Sequence, residues 1–272
     1  MSTNYTNLLY LVTIVTFILA LRFLSSPAHA RRGNQIGAAG MILAIVITWI
    51  KIGATSWWAI VIGMLIGGGF GAVAARKVKM TAMPQMVALF NGVGGGAAAL
   101  IALAEVHRIL PQPGTPKIDI SVAIALSALI GSISFSGSMI AFAKLQELIG
   151  GRPITYPGQQ IVNALVFFAG AGAGVALAAG VQDEWLLWVL IAAALLFGVL
   201  FVLPIGGADM PVVISLLNAF TGLAVAAGGF ELENNVLIVA GMLVGASGTL
   251  LTLMMGKAMN RSIANVLFGA FG

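Results

Sequence analysis

MPQMVALFNGVGGGAAAL, residues 83–100, decides how this chain is read, because a second version occurs at residues 210–227, MPVVISLLNAFTGLAVAA. At an offset of 127 residues, Met83 aligns with Met210, Pro84 with Pro211 and Leu89 with Leu216; Asn91 aligns with Asn218, Gly95 with Gly222 and Ala97 with Ala224. Each copy sets Met-Pro at the head of an apolar run and one Asn seven residues past the proline. At ~1.5 Å per residue, that Asn lies ~10 Å inside a helix, about a third of the way across a ~30 Å hydrocarbon core. Two amides at matched depth, on helices entering from the same side, predict a polar site between packed helices.

Composition sets the class around this repeat. Hydrophobic residues make up 60% and charged residues 8%, with mean hydropathy +1.07; soluble domains are ~45–50% apolar and ~25% charged. The prediction is an all-α, polytopic transmembrane helix bundle. A net charge of +5 and a pI near 9.9 then bear on loop topology, and no nucleic-acid partner is expected. With no cysteine there is no disulfide framework, thiol nucleophile or thiolate metal site. The two histidines, His29 and His107, fall in expected connecting segments, and no metal site is predicted around either.

Nine apolar runs are long enough to cross, near residues 5–24, 34–50, 56–75, 84–104, 119–141, 159–180, 184–203, 210–230 and 235–256. Ala28-His29-Ala30 resembles a signal-peptidase site, but the stretch ahead of the first apolar core carries no Lys or Arg, so that run is read as a span. With the N-terminus outside, ten basic residues fall on inner connections: Arg22, Arg31, Arg32, Arg76, Lys77, Lys79, Lys144, Arg152, Lys257 and Arg261. Only Lys51, Arg108 and Lys117 fall outside, and six of the eight acids join them there. The predicted orientation is N-out/C-in. The span interiors are expected to be free of Lys, Arg, His and Glu. Trp57, Trp58, Trp185 and Trp188 near span ends read as interface anchors.

Four spans carry small or polar residues on one helical face: Ala88, Asn91, Gly95 and Ala98; Ser127, Gly131, Ser134 and Ser138; Ser215, Asn218, Gly222 and Gly229; Gly241, Gly245, Gly248 and Thr252. Two readings stand: close packing, or the lining of a narrow hydrated path. The two amides favour the path, because a buried amide is costly unless hydrogen-bonded. Gly67-x-x-x-Gly71 and Gly170-x-x-x-Gly174 read as packing alone. Asp209, two residues before Pro211, reads as a helix cap or as an inner-mouth proton acceptor, and the two are compatible. Gly92-Val93-Gly94-x-x-Ala97 loosely fits a dinucleotide pattern but lies inside a span without a preceding strand, so it is set aside.

The runs RKVKMTAMPQMVALFNG (76–92), GSISFSGSMIAFAKL (131–145), LPIGGADMPVVISLLNAFTG (203–222) and GKAMNRS (256–262) resemble the membrane domain of the beta subunit of proton-translocating nicotinamide nucleotide transhydrogenase. The resemblance covers essentially the whole chain. It implies a complex coupling hydride transfer between NAD(H) and NADP(H), on two soluble domains, to proton movement through this one. By that resemblance, residues 1–260 form the proton-translocating domain. Residues 261–272 begin a linker to an NADP(H)-binding domain, so this chain alone is expected to bind neither nucleotide and to be inactive. Implied partners are alpha subunits, including a membrane-spanning one, in a homodimeric complex of the cell inner (plasma) membrane. Many relatives carry His where this chain has Asn91, and that His is treated as the relaying group. Asn cannot titrate, and in relatives with a split alpha subunit a partner-helix His takes the role; the expectation here is the same. The proton path is then expected at Asn91, Asn218, Asp209, Ser134, Ser138, Ser215 and Thr252, and domain coupling at Asp209, Lys257 and Arg261.

Two other classes remain open on the residues. A stand-alone secondary transporter is favoured by the internal duplication, though the copies run parallel and no intramembrane charge is expected to bind a coupling ion. A non-conducting anchor would use the stripes for packing only.

Overall fold

A computed structural model of the chain describes residues 3–53, 57–109, 117–181 and 183–268. Among the described residues the regular elements are all helical, and nine helices are long and apolar enough to cross a membrane. The chain is a multi-pass membrane protein. Its helices divide into two compact units, Met1–Ala82 and Met83–Gly272.

The first unit holds α1 (Thr3–Leu24), α2 (Ala30–Ile52) and α3 (Trp57–Lys77). Small residues on α2 let α1 approach closely: a Cβ on Gly33 would lie 2.9 Å from the Ala20 carbonyl oxygen. The Tyr10 hydroxyl meets Thr48 Oγ1 at 3.1 Å, and Lys51 Nζ lies 5.9 Å from the Tyr10 ring centre. Gly53, at φ 60°, closes α2 by donating its N–H to the Trp49 carbonyl. Helix α3 has no buried residue. The packing expected at Gly67 and Gly71 finds no neighbour within 4 Å among the described residues.

The second unit holds α4 (Met83–Ile109), α5 (Ile118–Leu145), α6 (Gln159–Ala178), α7 (Glu184–Val202), α8 (Met210–Glu231), α9 (Asn235–Ala258) and the short α10 (Ile263–Phe268). Helix α5 packs on α4, α6, α7 and α8, while α8 packs on α4, α5 and α9. The small-residue stripes make this possible. A Cβ on Gly131 would sit 2.7 Å from the Gly95 carbonyl oxygen, and one on Gly222 would sit 2.5 Å from the Gly245 nitrogen. Gly170 and Gly174 pack against α7, as expected of them, with Ala193 and Leu190 within 3.2 Å of an added Cβ. Of the tail, Val266 on α10 joins the apolar cluster of Val202, Met210, Val213 and Leu217; residues 269–272 lie outside the described residues.

Two helices overrun their expected ends. Helix α4 continues to Ile109 and α5 to Leu145, so Glu105, His107, Arg108 and Lys144 are helical rather than loop residues. The helices carry buried charges near their ends that the expected spans left out: Lys144 is 2% exposed, Glu231 3% and Glu105 5%. Each overrun has a local cause. Glu105 and Arg108 pair one turn apart, and Lys144 is held by backbone carbonyls. The unit has a basic face, with Lys144, Arg152, Lys257 and Arg261. Its acidic face carries Glu105, Asp119, Asp183, Glu184, Glu231 and Glu233. Trp185 and Trp188 are exposed at the start of α7 near the acidic face.

Candidate functional site

The site begins with Pro84 and Pro211. Proline fits the first turn of a helix, where its missing N–H is not needed, so both copies of Met-Pro start helices at the basic face. Asn91 then falls two turns inside α4, on the buried stripe Ala88, Asn91, Gly95, Ala98, Ala102 and Glu105. Opposite it, α5 presents Ser127, Gly131, Ser134 and Ser138, all buried, and α8 presents Leu217, Thr221, Ala224, Gly228 and Glu231. Three stripes thus form one seam.

A hydrogen-bonded cluster occupies the seam about a third of the way in. Asn91 Nδ2 donates to Ser138 Oγ at 2.9 Å and to Ser134 Oγ at 3.4 Å. Ser134 Oγ reaches the Leu217 carbonyl at 2.9 Å and Thr221 Oγ1 at 2.5 Å, and Thr221 Oγ1 also reaches the Leu217 carbonyl, at 3.0 Å. Each hydroxyl has one proton, so one of the pair donates to Leu217 and the other to its neighbour. Rotating both hydroxyls interchanges these arrangements. The other end of the amide is bare: Asn91 is 7% exposed, and its Oδ1 has no hydrogen-bond partner among the described residues. A buried acceptor left unpaired costs ~1–3 kcal/mol. The arrangement can hold a donor from outside the chain, such as water or an imidazole N–H.

A second cluster joins α8 to α9. Thr252 Oγ1 donates to Ser215 Oγ at 3.1 Å and lies 2.7 Å from the Gly248 carbonyl, which Ser215 Oγ also approaches at 3.3 Å. Asn218 belongs to neither cluster. It is half-buried and its side chain makes no hydrogen bond among the described residues, so the duplicated amides share a depth but not an environment. At the basic face, Asp209 occupies the N-cap of α8 without making the expected cap hydrogen bond; its carboxylate lies 3.9 Å from Arg261 Nε instead. Lys257 is exposed in the last turn of α9.

Sequence reasoning missed Thr221, Lys144, Glu105 and Glu231. Thr221 was findable, since Ala224, Gly228 and Glu231 follow it at helical spacing. The three charged residues were counted with the loops because hydropathy alone drew the spans too short. His107, likewise read into a loop, sits on α4, with Nε2 3.0 Å from Glu184 of α7. The Gly92-Val93-Gly94-x-x-Ala97 run lies inside α4, where helix bonding occupies the backbone N–H groups, so that stretch offers no phosphate cradle.

Comparison with known proteins identifies the family of the chain. The NAD(P) transhydrogenase beta subunit family model matches residues 6–272. The NAD(P) transhydrogenase subunit beta of Rhodospirillum rubrum is 44% identical over 277 aligned positions, covering 100% of this chain and 59% of the relative. The same subunit from a designated strain of that species gives the same figures. The chain thus spans somewhat more than half the length of the curated relatives it matches. By extent and identity alike, it belongs to the NAD(P) transhydrogenase beta-subunit family.

Proposed function

We propose that this chain is the proton-conducting membrane domain of an NAD(P) transhydrogenase, coupling hydride transfer between NAD(H) and NADP(H) on other domains to proton translocation. Family membership displaces the stand-alone transporter reading. The observation that carries the proposal is the Asn91 amide: it is buried, bonded at one end to Ser134 and Ser138, and bare at the other. Gln85 Oε1 and Gln159 Nε2 are also buried and unmet among the described residues; what sets Asn91 apart is its bonding to Ser134 and Ser138 in the seam of α4, α5 and α8.

Asn91 neither takes up nor releases a proton, so the relaying group comes from a partner. A histidine on a membrane helix of an alpha subunit would place a ring N–H against Oδ1, with Ser134 and Thr221 as rotatable hydroxyls beside it. Ser215, Thr252 and Asn218 line the neighbouring part of the path. At the basic face, which is the inner one in the N-out/C-in orientation, Asp209, Arg261 and Lys257 meet the NADP(H)-binding domain. Cofactor state there biases access to the path. Residues 1–260 make the conducting domain and 261–272 lead toward the nucleotide domain. The assembly is a homodimer of the complex in the inner (plasma) membrane.

The test uses the full complex in liposomes with a pH-sensitive dye inside. Asn91→Leu removes the amide at nearly constant volume and is expected to reduce pumping by ~10-fold or more. Substituting each intramembrane histidine of the alpha subunit in turn identifies the relay. Wild-type pumping by Asn91→Leu together with every histidine variant would sink the proposal.

A further inference from the structure

The seam that holds Asn91 does not stop at the polar cluster. Two heptads along α4 from Asn91, ~21 Å toward the acidic face, the same buried stripe ends at Glu105. Ten residues along α8 from Thr221, ~15 Å in the same direction, the facing stripe ends at Glu231. Between the polar cluster and these acids the buried stripes of α4 and α8 carry small residues, Ala98, Ala102, Ala224 and Gly228, while α5 brings Ser127 and, a turn further on, buried Ile124. Ser127 Oγ donates to the Ala98 carbonyl at 3.3 Å, and a Cβ on Gly228 would meet that hydroxyl at 3.5 Å.

The two acids are not equivalent. Glu105 is paired with Arg108, whose Nε donates to Oε2 at 2.8 Å and whose Nη2 donates to Oε1. Glu231 is buried more deeply, and neither of its carboxyl oxygens has a hydrogen-bond partner among the described residues. Glu105 and Arg108 are the charged groups of α4 that face it; on α5 the first turn offers exposed Lys117 and Asp119, and the first turn of α9 carries no ionisable group. Apolar side chains could fill this position at lower cost, because a buried carboxyl without a donor is destabilising. A carboxyl held without a partner, at the end of a seam whose other station also has a bare oxygen, fits a group that exchanges protons.

We propose that Glu231 is the proton-exchange group at the acidic-face end of the conduction path. This inference rests on the conducting role given above. In uptake, a Glu231 oxygen forms an O–H bond as a hydronium ion from acidic-face water loses one. In release, the same bond breaks and the proton passes to a water in the seam. No other reactant is required.

The experiment compares wild-type, Glu231→Gln and Glu231→Asp complexes in liposomes, measuring pumping rate against the pH on the acidic-face side. Glu231→Gln is expected to pump ~10-fold or more slowly and to lose its response to that pH, with Glu231→Asp restoring both in part. Infrared difference spectra of the wild-type complex, taken between two acidic-face pH values, are expected to show a carboxylic C=O band that shifts in Glu231→Asp. That band keeps the idea testable if Glu231→Gln fails to assemble. A Glu231→Gln complex that pumps with a wild-type pH profile overturns the proposal, as does a pH-dependent spectrum lacking the band. If Asn91→Leu remains impaired in the same preparation, only the role of Glu231 has failed; if Asn91→Leu also pumps normally, the conducting reading has failed.

Discussion

Lys144 Nζ donates to the carbonyl oxygens of Leu203 and Ile205, the latter at 2.7 Å, and approaches that of Arg152 at 3.4 Å; among the described residues no carboxylate lies within ion-pair distance. The side chain therefore closes the carbonyl end of α7 and ties the α7–α8 connection to the last turn of α5, where a cation also meets the negative end of the α7 dipole. Hydrogen bonds from charged donors contribute ~1.5–3 kcal/mol each. Lys144→Met keeps the aliphatic stem and strands these carbonyls, so it is expected to destabilise the protein by ~2–4 kcal/mol, read as a lowered Tm of the detergent-solubilised complex. A wild-type Tm would show that water replaces the ammonium. Nothing in the local sequence distinguishes Lys144 from its neighbour Arg152 as a positive-inside loop charge. Its acceptors lie 59 and 61 residues away, and only the fold brings them together. Asn91 was legible for the opposite reason: its environment follows from residues at fixed helical spacing on the same and the facing stripe.

Helices α8 and α9 meet through glycines whose missing side chains set the interhelical distance. A Cβ on Gly241 would lie 2.5 Å from the Ala226 nitrogen and 2.6 Å from the Gly222 carbonyl oxygen, and both are backbone atoms that cannot swing aside. Gly241→Ala must push the helices apart and is expected to cost ~1–3 kcal/mol. Gly172, exposed in α6 with nothing within 4 Å, is the control: Gly172→Ala should stabilise by ~0.5–1 kcal/mol through helix propensity. Melting curves of the two variants should move in opposite directions, and a common direction would mean that the crossing does not govern α8–α9 stability. The glycine stripes were readable as faces because period and residue size show in one dimension. Their partners were not. Gly67 and Gly71 on α3 share the spacing of Gly170 and Gly174, yet only the latter pair meets a neighbour among the described residues. Helix ends were the weakest part of the reading, since an ion pair such as Glu105–Arg108 lets a helix continue where hydropathy has already fallen.

At the scale of the whole molecule, the charge asymmetry of the second unit ties structure to orientation. If its basic face meets the nucleotide domain, the Asp209–Arg261 pair lies at the junction, and Asp209→Asn weakens the pair while keeping the shape of the α8 start. Coupled turnover is then expected to fall more than uncoupled nucleotide exchange in the complete complex. Equal losses would point to a damaged helix start. The orientation itself has a direct test, because the chain contains no cysteine and any introduced thiol is unique within it. Asp183 at the head of α7 and Arg152 in the α5–α6 connection are both exposed, on opposite faces of the unit, and neither side chain forms an ion pair among the described residues. With N-out/C-in, Asp183→Cys in intact cells stripped of the outer membrane should react with a membrane-impermeant maleimide. Arg152→Cys should react only after the membrane is opened. The reverse pattern would put the basic face outside, moving the nucleotide-domain junction and the Glu231 end to the opposite sides of the membrane, and would contradict the positive-inside reading of the loop charges.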